Sequence, residues 1–271
     1  MTQQKTDVLN VPVYSISGEI KGEVSLPKVF SAAVRKDLIK RAFLASFTAQ
    51  KQPKGRDPLA GRKVSVKSFG TGREMARLPR HSSGRAGFAP MARGGYKPHP
   101  PRIDENIREE INQKERVLAL GSAIAATGQT EFVVRRGHRF DGQKIKALPI
   151  VLSDELEGID KTRDAFFLIQ QLGLAQEVER VKYSRKVRAG RGKLRNRRIK
   201  QRKGPLIVVS KNCAAIRAFR NIPGFEIVSL KSLGVIHLAP GGDPGRLTLW
   251  AESTLKMLDG SVSYERRKTK A

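Results

Sequence analysis

Between Lys51 and Arg102 the chain runs through 52 residues that hold 13 Lys/Arg against two acids, Asp57 and Glu74, together with eight Gly and seven Pro. Such a stretch cannot build its own core. Its large apolar residues, among them Val66, Phe69, Met75, Leu78, Phe88, Met91 and Tyr96, are too few and too irregular to form a helix or sheet face. Its Gly and Pro content is that of irregular chain. A loop this long within a compact domain implies a function, or a partner that orders it. A net charge of +11 makes that partner a polyanion.

A second stretch, residues 180–204, contains 13 Lys/Arg and no acid. The other 194 residues are nearly balanced, with 27 bases and 23 acids, so most of the formal +28 is confined to the two stretches. That segregation points to dedicated contacts with phosphate. A membrane partner fits less well: there is no apolar run of about 18 residues. The opening MTQQKTDVLN lacks the apolar core of a signal peptide. Cys213 is the single cysteine, which leaves no disulfide framework or cysteine zinc site and suits a reducing cytosol.

Taken in order, residues 8–16 and 20–26 read as an edge hairpin or two short strands. A helix is expected from Pro27 to about Gln50, with Ser31 capping a first turn and Val34, Leu38, Ile39, Ala42 and Phe43 at helical spacing. Beyond the long loop, Asp104 and Glu105 open a second helix that runs to Ala126 and stops at Gly128. Helices on both sides make the loop an arm with two feet on one base. Two extended legs of about 25 residues could reach on the order of 80 Å.

Downstream, Phe132–Val134 and Leu148–Leu152 read as strands, followed by a helix over 162–172. Leu206–Val209 is a buried strand by its continuous apolar run. Asn212 caps a helix bearing Ile216 and Phe219, Phe225–Leu230 and Val235–Leu238 are further strands, and Trp250 packs at the start of a short helix, Ala251–Leu258. The alternation predicts an α/β fold, an open mainly parallel sheet flanked by helices, with the long basic arm inserted between two of them. The expected organisation is one α/β domain over 1–271 with the arm at 51–102 and a second basic segment at 180–204.

Enzymatic motifs are lacking. There is no G-x-x-x-x-G-K-[ST] loop, Gly190-Arg191-Gly192 lies in a polybasic run without a third glycine, and Gly241–Gly245 reads as a turn. His81, His99, His138 and His237 have no metal spacing. His81 and His99 suit RNA stacking or phosphate contact, and His237 in an apolar run suits the core. Cys213 near a helix start could have a lowered pKa but reads better as a buried thiol, and Asp154, Glu155 and Glu157 read as an acidic surface turn. The residues thus predict an RNA-binding structural protein that needs no cofactor, metal or small-molecule substrate. A nucleic-acid-modifying α/β enzyme is the runner-up, and a regulatory RNA-binding repressor is compatible with either.

Several segments carry a resemblance: INQKERVLALGSAIAAT, RAGRGKLRNRRIKQRKGPLIVV, AFRNIPGFEIVSL and LAPGGDPGRLTLW, with REMARLPRHSSGRAGFAPMARGG in the arm. In this order they resemble the archaeal and eukaryotic branch of large-subunit ribosomal protein four. The resemblance implies a structural ribosomal protein that binds large-subunit rRNA in the cytoplasm, beside neighbouring ribosomal proteins, with an arm reaching the nascent-peptide exit tunnel. Carried onto this chain, the rRNA-binding arm residues are Arg56, Arg62, Lys63, Lys67, Arg73, Arg77, Arg80, Arg85, Arg93, Lys97 and Arg102. His81, Phe88 and Met91 are tunnel-facing candidates, past which the nascent peptide would travel. The second clamp comprises Arg185, Lys186, Arg188, Arg191, Lys193, Arg195, Arg197 and Arg198. The chain ends soon after Lys270, without the long basic extension of eukaryotic members, so an archaeal type is expected.

Overall fold

The computed structural model describes residues 10–60, 65–87 and 97–262. They fall into two units, Met1–Phe47 with Glu110–Ala271, and Thr48–Glu109.

The elements run in chain order as follows. Strands β1 (Asn10–Tyr14) and β2 (Ile20–Ser25) form an antiparallel hairpin, and α1 spans Lys36–Thr48. Two-residue strands β3 (Lys67–Ser68) and β4 (Pro79–Arg80) lie in the Thr48–Glu109 unit. Then come α2 (Gln113–Thr127), α3 (Thr130–Arg135), β5 (Ile150–Leu152), α4 (Thr162–Gln171) and α5 (Ala175–Tyr183). Strands β6 (Lys186–Val187) and β7 (Ile199–Lys200) make a small hairpin. The chain continues with β8 (Leu206–Val209), α6 (Ala215–Arg220), β9 (Glu226–Ser229), α7 (Val235–Leu238), β10 (Thr248–Ala251) and α8 (Glu252–Val262).

Six strands form the main sheet in the order β2-β1-β5-β10-β8-β9, parallel except for the β1–β2 pair. Side chains alternate between its faces with period two. Ile150, Leu152, Ile207, Val209, Leu249 and Ala251 face a core that includes Leu168 and Ile169 of α4 and Phe219 of α6. Val151, Leu206, Val208 and Trp250 face the other, with Leu38 and Ile39 of α1, Ala119 and Ala123 of α2 and Leu255 of α8. Both faces of β5, β8 and β10 are covered, which is why these strands are buried throughout and, but for Thr248, apolar at every position. The second half of α2 is built of small residues, LALGSAIAA, and is buried almost throughout from Ala119 to Thr127.

The expected α/β class, a mainly parallel sheet flanked by helices, holds, and several element boundaries change. Phe132–Val134 is helix, not strand: one turn buries Val133 and leaves Val134 59% exposed, whereas a central strand would bury the run. Val235–Leu238 is also helical. Val235 and Leu238, three apart, are its buried pair, and the His237 ring Nδ1 accepts the Gly234 N–H at 3.2 Å. Trp250 belongs to the central strand β10, where its Nε1–H donates to Thr248 Oγ1 at 3.0 Å and its ring meets Phe30 edge-on at 5.7 Å.

The first helix begins at Lys36 rather than Pro27, because Lys28–Ser31 is a separate 3-10 turn ended by extended Ala32. Ser31 therefore lies within that turn and caps nothing. The second helix begins at Gln113 rather than Asp104. Its expected first turns, DENIREEIN, hold only Ile107 and Ile111 to lay on a core. Helix α6 starts at Ala215 with no side-chain cap, so Asn212 does not cap it. Helix α5, for which no element is expected from the sequence, buries Val178 and Val181 and carries the chain into the second basic segment.

Candidate nucleic-acid interface

The second basic segment is a folded object. The β6–β7 ladder pairs Lys186 with Lys200 and Val187 with Ile199. The Arg188 N–H adds a bond to the Arg198 carbonyl at 2.7 Å, and the Arg188 Nε–H donates to the Arg197 carbonyl at 3.0 Å. The tip is a 3-10 turn, Gly190–Leu194, whose Gly192 carbonyl accepts the N–H groups of Arg195 and Arg197. These backbone bonds leave Arg185, Lys186, Arg191, Lys193, Arg195, Arg197 and Arg198 in solvent, with Arg188 half-buried just below the tip. No acid occurs between Arg180 and Phe225 to neutralise them.

Buried ion networks fix where this hairpin stands. Glu177 is fully buried on α5. Its Oε2 accepts the Arg139 N–H at 2.9 Å and Arg180 Nε at 2.7 Å, and its Oε1 lies 2.5 Å from Arg180 Nη2 and 2.7 Å from His138 Nδ1. Burial works against this carboxylate, but the bonds from Arg180, His138 and Arg139 outweigh it and leave its pKa below the usual value. Burial pushes the His138 pKa down in spite of Glu177. A neutral ring donating from Nδ1 to Glu177 fits its Nε2, which has no partner among the described residues.

Arg246 anchors the other end of the hairpin. Fully buried, it donates from Nε to the Gly204 carbonyl at 2.8 Å and from Nη1 to Glu226 Oε2 at 2.7 Å and the His237 carbonyl at 2.8 Å. Its Nη2 reaches the Pro205 carbonyl at 3.3 Å. Burial brings its pKa down to about 10, which still leaves it charged at neutral pH. Arg136, also held down to about 10 by burial and by Arg246, donates to the carbonyls of Pro240 and Asp243. Arg136 thus pins the Gly241–Gly245 turn through the carbonyl of Asp243 within it and that of Pro240 just before it.

All of this lies at the amino ends of the strands, because Gly204, Glu226 and Arg246 each stand at the entry to β8, β9 or β10. An open cleft of ≈ 730 Å³ there is lined by Lys36, Arg135, Arg136, Arg180, Arg202 and Lys203, among others. At the opposite, carboxyl ends, where open α/β sheets bind nucleotide substrates, the acidic turn holds the strands together. Glu157 Oε1 accepts the Ser210 N–H and hydroxyl, both at 2.7 Å, and Asp154 accepts the Ser253 N–H at 2.8 Å. Glu155 pairs with Lys21 at 3.0 Å. The three acids are structural ties. Cys213 is half-buried, and burial and Glu157 raise its pKa, so the lowered value considered from its place near a helix start is not found.

In the Thr48–Glu109 unit, β3 pairs with β4, and the chain folds back through the His81–Arg85 and Gly87–Pro79 backbone bonds. Val66 is buried, and a methyl group on Gly87 would fall 2.5 Å from its side chain. Lys67, Arg73, Arg77, His81, Arg85, Lys97 and Arg102 are exposed. Arg80 is half-buried, donating to the Gly84 carbonyl at 2.9 Å, and Arg56 is half-buried too. Arg73 lies over the Phe69 ring at 5.0 Å. Arg62, Lys63, Phe88, Met91 and Arg93 lie outside the described residues.

Fold and site together define a basic α/β protein whose cations are gathered on particular segments. Comparison with known proteins narrows this. Residues 24–261 match the model of the ribosomal protein L4/L1 family. Large ribosomal subunit protein uL4 of Methanocaldococcus jannaschii is 47% identical over 246 residues, covering 91% of this chain and 96% of that protein. The protein of the same name from Sulfolobus acidocaldarius is 46% identical over 250 residues, covering 92% and 93%. The chain belongs to the ribosomal protein L4/L1 family and is of the archaeal type. It is therefore a structural protein of the cytoplasmic ribosome and not an enzyme.

Proposed function

We propose that this large-subunit ribosomal protein binds large-subunit rRNA at two places, through residues 51–102 as an extended arm and through the hairpin of residues 180–204. The observation that carries the reading is the acid-free hairpin, whose cations are spread into solvent by a backbone already in place. Folded RNA packs phosphates closely, and fixed cations release their counterions at little ordering cost. Forked guanidinium donors suit phosphate oxygens, and phosphate contacts set position without reading sequence. The arm, with Arg73, Arg77, Arg80, Arg85 and Arg93, reaches the wall of the peptide exit tunnel, where His81, Phe88 and Met91 are candidates to face the nascent peptide. Neighbouring ribosomal proteins complete the surroundings, and the two contacts support subunit assembly and translation. The test is co-sedimentation: the protein should travel with large subunits through a high-salt wash. Protein left free at the top of the gradient would contradict the assignment.

A further inference from the structure

The hairpin and helix α5 enclose a second cleft of ≈ 930 Å³ whose lining is unlike a plain phosphate clamp. Tyr183, at the last residue of α5, is 83% exposed, far more than Phe166 or Phe167 at 40% and 51%. It lies on the helix face of Gln176, Glu179 and Arg180, positions three and four residues apart that line the cleft together. Across from them stand Lys186 and Lys200, directly opposed in the β6–β7 ladder. Like charges so placed repel unless an anion lies between them. The frame is fixed: Ser184 Oγ donates to the Val181 carbonyl at 2.6 Å and accepts the Arg202 N–H at 3.0 Å.

We infer that this cleft takes one unpaired nucleotide of the RNA, its base stacked on the Tyr183 ring and its phosphate between Lys186 and Lys200. This rests on the RNA-binding reading above and gives the hairpin a second mode of contact. An aromatic face holds any base, because every base has a π-face. The amides of Gln176 and Gln201 also line the cleft, where they can meet a base edge. Of the cations on the helix side, Arg180 is already held by Glu177, which leaves the lysine pair to meet the phosphate.

Stacking and charge neutralisation separate experimentally, because the first is nearly independent of salt and the second is not. The probe is a short single-stranded RNA carrying 5-iodouridine, with inorganic polyphosphate as the anion lacking bases. Tyr183→Ala should weaken RNA binding by roughly 5- to 150-fold, the worth of one base–aromatic stack. The slope against log salt and the affinity for polyphosphate should persist, and Tyr183→Phe should restore RNA binding. Lys186→Ala with Lys200→Ala should instead lower the slope. Irradiation should place the cross-link on Tyr183. If the wild-type protein binds the RNA with steep salt dependence but Tyr183→Ala binds equally well, or the cross-link falls elsewhere, the nucleotide site is wrong and the clamp stands. If the wild-type protein does not bind RNA at all, both fail.

Discussion

Residues 51–102 and residues 180–204 carry 13 Lys/Arg each, but the cations of the second are mounted on a scaffold that begins and ends outside the segment. At one end Arg180 is clasped by buried Glu177, and at the other the Gly204 carbonyl is held by buried Arg246. Between them the hairpin closes through its own ladder. In the first stretch, the described residues offer a two-residue ladder, a few turn bonds around His81 and one buried apolar side chain, Val66. The difference teaches that cation density alone does not decide how a basic segment is ordered. Anchors in the body do, and they can lie far away in sequence.

The contrast is broken most forcefully at Arg246. Arg246→Ala leaves the carbonyls of Gly204, Pro205 and His237 without their buried donor, while half-buried Glu226 keeps Lys203, and a buried polar group left unpaired typically costs about 1–3 kcal/mol. Chemical denaturation should show a loss of that size. A loss under about 1 kcal/mol would mean that the anchor is dispensable.

Acid should loosen the other anchor. The folded pKa of His138 lies below its ordinary 6.5, so its contribution is full above that pH and declines as pH falls toward the depressed folded value. The folded pKa of Glu177 lies below its ordinary 4.5, so its contribution is present above that pH and lost as pH falls through the folded value. Thermal melts should therefore fall on acidification, beginning below about pH 6.5 and again below about pH 4.5. His138→Asn should shrink the first decline, to which His237, its pKa lowered by burial in the same direction, also contributes; a decline of undiminished size would shift the cause away from His138.

The smallest stability effect belongs to the first stretch. Lys67, Arg77 and Arg85 are exposed, and their joint replacement by Ala should change the unfolding free energy by no more than about 0.5 kcal/mol. A larger loss in the same denaturation experiment would show that these cations serve the fold.

Much of this was legible in the chain. Leu206–Val209 announced itself as a buried strand because a parallel strand covered on both faces is apolar at every position, and the strand expected over 148–152 is found at Ile150–Leu152. Helix 162–172 was visible in its three- and four-residue spacing. Short runs defeated the reading: Phe132–Val134 and Val235–Leu238 fit strand or helical turn equally, and only their packing partners decide. Both basic segments were plain in the charge pattern. Their anchors were not, since a lone arginine after a glycine turn, Arg246, or a glutamate three residues before an arginine, Glu177, looks like surface until the fold buries it. The single signal for Arg246 was its place at the threshold of the apolar run LTLW. Tyr183 stood visible as an aromatic within a cationic stretch, but its exposure comes from the end of α5, which the sequence did not reveal.

The most direct measurement is the salt dependence of binding to protein-free large-subunit rRNA. It should be made for the wild-type chain, for Lys67/Arg77/Arg85→Ala and for Arg191/Lys193/Arg195→Ala. Each phosphate contact contributes roughly 0.7 to 0.9 to the slope of log K against log salt. Each triple variant should therefore lower the slope by about two to three, and the combination by about four to five. An unchanged slope in either triple would contradict the claim that its segment holds the RNA.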